Sequence, residues 1–150
     1  MGLAQLTVQY PHKIYPDAIY VEHVPASGTH DIAAAPKQFE VWAQMENAAE
    51  AARVQEVLDR EVNIRYGFEC GPPPKHNSLR WVCFASGEYN IHYANHVQKV
   101  STLFDAEEIG LATKMIAFRV KENWGSKDHT CIYRLRMIGK EVGSELRPIV

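Results

Sequence analysis

Two histidines and two cysteines in the middle of the chain are of the types that bind zinc: His92, His96, Cys70 and Cys83. The histidines are four residues apart, so on a helix they would face one side. The cysteines, however, lie much farther apart than the two to four residues that separate the paired ligands of a zinc knuckle. We therefore predict no metal site and no cofactor, with the histidines in polar loops.

A second pair, His129 and Cys131, has the residue types of a general base and a nucleophile. On a strand, residues i and i+2 share a face, but their side chains stand about 6–7 Å apart, which is too far for proton transfer. The chain also lacks the glycine-rich phosphate loops, the nucleophile elbow and the H-E-x-x-H motif. We predict that the protein is not an enzyme and that Cys131 is a buried thiol or half of a disulfide.

Length and composition limit the protein to a few classes. Its 150 residues are 46% hydrophobic and 23% charged, with a formal net charge of −2. These values predict one domain over residues 1–150 that can bury its own core. The charge gives no reason to expect nucleic acid as a partner, and no apolar run is long enough for direct membrane insertion. Three cysteines leave at least one unpaired within the chain.

Alternating polar and apolar residues dominate the sequence and predict short strands. The predicted strands are Leu6–Tyr10, Ile19–Val24, Phe39–Ala43, Trp81–Ala85, Val97–Phe104, Met115–Val120 and Cys131–Ile138. Residues 47–62 instead have helical periodicity, and Asn47 and Glu50 have the spacing of a capping box. The predicted fold is all-β, a compact antiparallel, jelly-roll-like β-sandwich with one inserted amphipathic helix. Pro72–Pro74 is expected to be an exposed, polyproline-like segment.

Three ordered blocks of this sequence resemble the SUN domain. The last block, Phe118–Gly125 followed by His129–Gly139, is similar to the family's N-W-G and Y-T-C-[IL]-Y-R-[FL]-R signature. Ile14–Pro25 resembles the family's I-x-P-T-A and L-E-H-V-P pattern, and Ala35–Val41 resembles S-A-P-K-D-F-x-V. The segment from about 46 to 112 matches poorly, so we expect a long insertion whose helix is peripheral to the fold.

The resemblance implies a non-enzymatic adaptor of the LINC complex. SUN domains lie in the perinuclear space and are anchored in the inner nuclear membrane. They bind the proline-rich C-terminal tails of KASH proteins and so link the nuclear envelope to the cytoskeleton. An extended peptide can add to a sheet edge while a pocket holds its terminal carboxylate. We expect the parent protein to be trimeric and this segment to be monomeric, with the transmembrane segment, coiled coil, lid hairpin and cation loop absent from it.

The family's peptide pocket can be carried over position by position. His23 matches the pocket histidine, Ala34 occupies the position of the pocket serine, and His129 occupies that of the pocket tyrosine. Cys131 matches a cysteine that pairs, in the family, with one in an upstream G-N-C-W segment. It is therefore a disulfide candidate, free or paired with Cys70 or Cys83.

Three further residues complete the predicted peptide-binding set. Tyr133 matches the residue that faces the family's cation loop, and Asn123 and Trp124 belong to the N-W-G motif. Trp124 has two interpretations, because it can cap the core of the sandwich or line a groove.

Two alternatives to the adaptor remain open. One is an ER-lumen SUN-like domain that assists membrane-protein folding or maintenance and needs no KASH tail. The other is a β-sandwich carbohydrate-binding module that uses Trp42, Trp81 or Trp124 as a stacking platform.

Overall fold

The fold is an antiparallel β structure, seen in a computed structural model that describes residues 4–63 and 70–143. The strands are β1 (Gln5–Glu22), β2 (Pro36–Gln44), β3 (Trp81–Glu88), β4 (Val97–Ser101), β5 (Thr113–Asn123) and β6 (Arg134–Glu141). The helices are α1 (Ala48–Leu58) and the short α2 (Ala106–Ile109). The predicted all-β class with an added helix is confirmed.

The long strand β1 joins the two parts of the sheet. Its first half pairs with β5, with Gln5 opposite Arg119, while its second half lies between β4 and β6. The register shifts between Gln9 and Ile14, where the strand passes from one set of partners to the other. The two strands predicted in this region are therefore one strand, because the intervening residues stay extended through the register shift.

The core is built from buried residues of β1, β2, β3 and β5 together with those of α1. Phe39 of β2 and Phe118 of β5 are 2% and 1% exposed, and their ring centroids are 4.8 Å apart. The predicted helical stripe also reaches this core, since Val54 and Leu58 of α1 are fully buried. Burying each such side chain contributes about 1.5–3 kcal/mol.

The segment from 46 to 112 is part of this core, so its predicted peripheral role is wrong. It supplies α1 and also β3, which pairs with β2 along seven register positions and is buried over most of its length. Asn47 caps α1 as predicted, with its Oδ1 accepting from the Glu50 amide at 2.8 Å. After Leu58 the helix widens into a π-helical turn, Asp59–Asn63.

Two strand boundaries differ from the predictions, and backbone contacts explain both. The strand predicted to extend to Phe104 ends at Ser101, because the Thr102 amide leaves the ladder and donates to the Asp17 carbonyl at 2.9 Å. The last strand begins at Arg134 and not at Cys131. The Cys131 amide instead donates to the Ala34 carbonyl at 2.8 Å.

Candidate peptide-binding site

The loop that follows β5 docks on the short 3-10 turn Ile32–Ala34, and together they form the centre of the candidate site. Three backbone hydrogen bonds fix this contact. They run from Trp124 N to Ala35 O (3.2 Å), from Ser126 N to Ala33 O (3.1 Å) and from Cys131 N to Ala34 O (2.8 Å). The sequence blocks around Ala34 and Asn123, far apart in the chain, are thereby brought together.

Asn123 holds the loop from inside. Its side chain is nearly buried, and its Nδ2 donates to the carbonyls of Ser126 and His129 and to Thr130 Oγ1, at 3.0, 3.1 and 3.0 Å. Its Oδ1 accepts from the Gly125 amide at 2.9 Å. Gly125 has φ +126°, a conformation that favours glycine. Asn123 therefore shapes the loop and has no side-chain atom left to contact a ligand.

His129 stands on the outer side of this loop. Its Nε2 lies 2.5 Å from Asp31 Oδ2, and both side chains are about half exposed. A histidine and a carboxylate in contact at the surface provide a polar group beside the loop. The pair is accessible to a ligand, as the predicted pocket position requires.

Trp124 is anchored and not free to swing. Its Nε1 donates to the Tyr89 carbonyl at 2.8 Å, and the ammonium of Lys37 lies 4.7 Å from the ring centroid. The ring of His92 meets it edge-on at 5.4 Å. The indole is partly buried, so it supports the rim of the site between β2 and β3.

His23 lies at the end of β1 and is only 3% exposed. Its Nδ1 donates to the Val24 carbonyl at 2.8 Å in the tautomer that this contact requires, and its ring packs 6.4 Å from the ring of Tyr89. Tyr89 is also buried and donates its hydroxyl to the His96 carbonyl at 2.6 Å. Burial raises the pKa of Tyr89 above its usual 10.0.

Tyr89 is the functional-site residue that the sequence prediction missed. It touches His23 through its ring and Trp124 through its carbonyl, and so connects two predicted site residues. Its position directly after β3 was the available signal, because an aromatic residue at a strand end commonly closes the core.

The other two predicted site residues have different surroundings. Ala34 is fully buried, and its carbonyl already accepts from Cys131, so it supports the loop and offers no side chain to a peptide. Tyr133 is 57% exposed and makes no hydrogen bond or ring contact within residues 4–63 and 70–143. The structure therefore groups five predicted residues and leaves Tyr133 at the edge.

Of the alternatives left open for Cys131, the structure has the free thiol and not the disulfide, and this thiol is exposed and not buried as predicted. Cys131 is an exposed free cysteine, whereas Cys70 and Cys83 form a disulfide. The amide of Cys131 donates to the Ala34 carbonyl in the loop contact. The disulfide also removes the two thiolates that the zinc alternative required.

A buried ion pair lies under a second surface, on β2 and β5. Glu40 is fully buried, and its Oε1 accepts from Arg119 Nη2 at 2.6 Å and from Trp42 Nε1 at 3.2 Å. Glu40 and Arg119 are direct cross-strand partners, and Arg119 also lies 5.2 Å from the Trp42 ring. Glu40 and Trp42 alternate with Phe39, Val41 and Ala43 along β2, and the residues of both sets are buried.

The cover over this pair is the segment Cys70–Lys75, which we call the strap. Its Gly71 amide donates to Glu40 Oε2 at 2.5 Å, and Arg119 donates to the Pro72 carbonyl. The disulfide fixes its first residue to β3. Pro72 and Pro73 are exposed as predicted, but Pro74 is buried.

Glu40 should make the fold sensitive to acid. Burial by itself raises the pKa of Glu40. The hydrogen bonds from Gly71, Arg119 and Trp42 together outweigh this effect, so the pKa of Glu40 lies below its ordinary 4.5. A carboxylate whose folded pKa is depressed stabilises the fold above its unfolded pKa, and that stabilisation disappears as the pH falls through the folded pKa. We expect the free energy of unfolding to fall below about pH 4.5, measured by urea titration at a series of pH values.

A matched variant separates this carboxylate from others. Glu46 also has a lowered pKa, because it bonds to Lys13 on the surface. Glu40→Gln should flatten the acid limb of the pH profile, whereas Glu46→Gln should leave most of it. An unchanged acid limb in Glu40→Gln would contradict the assignment.

Within residues 4–63 and 70–143, no group of three or more histidines, cysteines or acidic residues is arranged to hold a metal ion. The helices of this same part of the chain include none that is long and apolar enough to cross a bilayer.

The amino-acid sequence matches the model of a protein family. The model of the Sad1/UNC-like C-terminal domain matches residues 3–82 and, in an overlapping second match, residues 74–141. Together the two matches span nearly the whole chain, including the segment from about 46 to 112 whose sequence motifs matched the family poorly. The chain belongs to the Sad1/UNC-like C-terminal family, the SUN domains, as its sequence blocks predicted.

A solved structure of another protein has a similar fold. The C-terminal domain of a chitobiase from Bacteroides fragilis superposes with a TM-score of 0.54 at 10% sequence identity. The superposition covers 95% of this chain and 66% of the chitobiase domain, so this chain spans slightly less than two thirds of that domain. At this identity the likeness shows a shared β fold only.

The stacking platform of the carbohydrate alternative is not formed. Trp42 and Trp81 are 4% and 7% exposed, so neither presents a ring face to solvent. Trp124, the third candidate, has Lys37 over its ring and His92 at its edge.

Proposed function

We propose that this SUN domain is a non-enzymatic adaptor that binds the proline-rich C-terminal tail of a KASH-type partner. The observation that carries the proposal is the docking of the Trp124–Thr130 loop on Ile32–Ala34, within a chain that belongs to the SUN family. That contact places the exposed His129–Asp31 pair beside the loop. A peptide carboxylate would accept a hydrogen bond there from His129 Nδ1, since Nε2 already contacts Asp31.

His23 supports the proposed pocket from within the fold, because the residue is only 3% exposed and its Nδ1 is occupied by the Val24 carbonyl. The serine hydroxyl of the family is missing at Ala34, so this pocket would hold the tail with fewer hydrogen bonds.

The proposed location is the perinuclear space, with the parent protein anchored in the inner nuclear membrane. The Cys70–Cys83 disulfide supports an oxidising compartment, because such bonds are rare in the cytosol. The same observation supports the ER lumen of the alternative. The peptide experiment distinguishes them, because the alternative requires no KASH tail.

The test uses two peptides that end in Pro-Pro-Pro-Thr, one with a free carboxylate and one amidated. We expect amidation to weaken binding by about 1.5–3 kcal/mol, the contribution of hydrogen bonds to a charged group. His129→Ala should weaken binding of the free peptide, since its side chain is exposed and removable without loss of the core. The matched control is His12→Ala. His12 is an exposed histidine of β1, and its ring lies near Glu141 of β6.

Equal binding of both peptides would reject the adaptor function for this chain. The measurement should be repeated with the domain in its full-length parent protein. Failure to bind in both settings would favour the ER-lumen alternative.

A further inference from the structure

Among the described residues, the strap is attached to the sheet by two hydrogen bonds to the ion pair, by the disulfide and by the packing of Cys70, and its Pro74 is buried. Its three consecutive prolines have no amide protons, so the strap cannot pair with a neighbouring strand through a normal ladder. The hydrogen bonds to the ion pair come from one amide, that of Gly71, and one carbonyl, that of Pro72. The Cys70–Cys83 bond is its only covalent attachment outside the backbone.

The surface under the strap does not depend on it. Glu40 and Arg119 face each other across the β2–β5 ladder, which continues from Pro36 to Ala43 without any contribution from the strap. The guanidinium of Arg119 also stacks near Trp42. Without its cover, the sheet would therefore present a carboxylate, a guanidinium and an indole on one exposed face.

We propose that the Cys70–Cys83 disulfide is a redox latch, whose reduction releases the strap and uncovers Glu40, Trp42 and Arg119 while the sheet stays folded. The step takes two electrons and two protons from a dithiol. The sulfur–sulfur bond breaks to give two thiols, and the dithiol becomes a disulfide. The disulfide joins two residues that are 13 positions apart. The latch holds the strap in place because it reduces the conformational entropy of this loop in the open state.

This device is separate from the proposed peptide site, because the two share no residue. The strap lies against β2 and β5 through Glu40 and Arg119, whereas the peptide site is built around Asn123, His129 and His23. The redox latch therefore does not depend on which ligand the domain binds.

The Gly71 amide is a direct reporter of the strap, because it is the strap's donor to Glu40. Its hydrogen exchange should be measured by NMR in the oxidised protein, in protein reduced with dithiothreitol, and in Cys70→Ser. We expect exchange to accelerate on the order of 100-fold in both latch-free states, the loop-closure contribution of the disulfide expressed as a rate ratio. The amides of Val41 and Phe118 should keep their protection.

Cys131→Ser is the matched control, since it removes the free exposed thiol and leaves the latch intact. It should behave as the oxidised parent before reduction and as the reduced parent after it. Unchanged Gly71 protection without the disulfide would overturn the proposal. Simultaneous loss of protection at Gly71, Val41 and Phe118 would also overturn it, because it would show global unfolding. Should Cys70→Ser fail to fold, Cys83→Ser and the reduced parent decide between these outcomes.

Discussion

Replacing Glu40 with Gln should lower the free energy of unfolding by about 3–5 kcal/mol, the cost of removing one partner from a buried ion pair. The variant keeps the shape of the side chain, so it leaves no cavity. It leaves the guanidinium of Arg119, whose side chain is 11% exposed, without its carboxylate. Urea unfolding followed by circular dichroism measures the change.

The control for this prediction is another ion pair on the same two strands. Glu122 contacts Lys37 at 3.6 Å, with 45% and 31% of the two side chains exposed. Exposed pairs contribute about 0–1 kcal/mol, so Glu122→Gln should have little effect. If Glu40→Gln were no more destabilising than Glu122→Gln, the buried pair would not have the structural role assigned to it.

Replacing Asn123 with Ala should affect stability and ligand binding together. The change removes four hydrogen bonds and leaves the carbonyls of Ser126 and His129 without a donor. We expect a loss of about 2–4 kcal/mol, since each bond contributes about 0.5–1.5 kcal/mol and buried groups left unpaired add to the cost. Thermal unfolding reports the first effect, and titration with the Pro-Pro-Pro-Thr peptide reports the second.

Asn95 offers a matched comparison for this variant. Its Oδ1 accepts one hydrogen bond, from the Val97 amide at 3.0 Å, and the residue is exposed. Asn95→Ala should therefore change the stability by less than about 1 kcal/mol and leave peptide binding intact. Equal losses in the two variants would mean that Asn123 does not organise the loop.

Local patterns predicted most of the strands and the helix because their physical causes are local. Asn47 caps α1 through its own side chain, and the spacing of Val54, Leu58 and Val62 alone defines the buried stripe. The family blocks added the relation between the Ala34 and Asn123 regions, which no local pattern contains.

The errors occur where distant contacts decide the outcome. The alternation along β2 did not identify Glu40 as a buried carboxylate, because Arg119 and the strap, both distant in sequence, cover it. Cys131 was a disulfide candidate by family position, while the pairing of Cys70 with Cys83 depends on where the strap lies. Neither the position of the strap nor the ladder between β2 and β5 can be read from residue spacing.

For the candidate site, too, the sequence predicted some features and distant contacts decided others. The family motif identified Asn123, Trp124 and His129, which do meet in one loop. It could not show that the contact atoms of Asn123 are all used within the loop, or that Tyr89 joins Trp124 to His23.

The pairing of β1 also sets the order of events during synthesis. Gln5 finds its partner at Arg119, and Ile14 pairs with Glu141 near the other end of the described chain. At translation rates of about 5–20 residues per second, the first strand leaves the ribosome on the order of ten seconds before these partners exist. The side chains of Ile19 and Val21, buried in the folded protein, must wait in the nascent chain, so completion of this sheet is expected to follow the synthesis of its last strand.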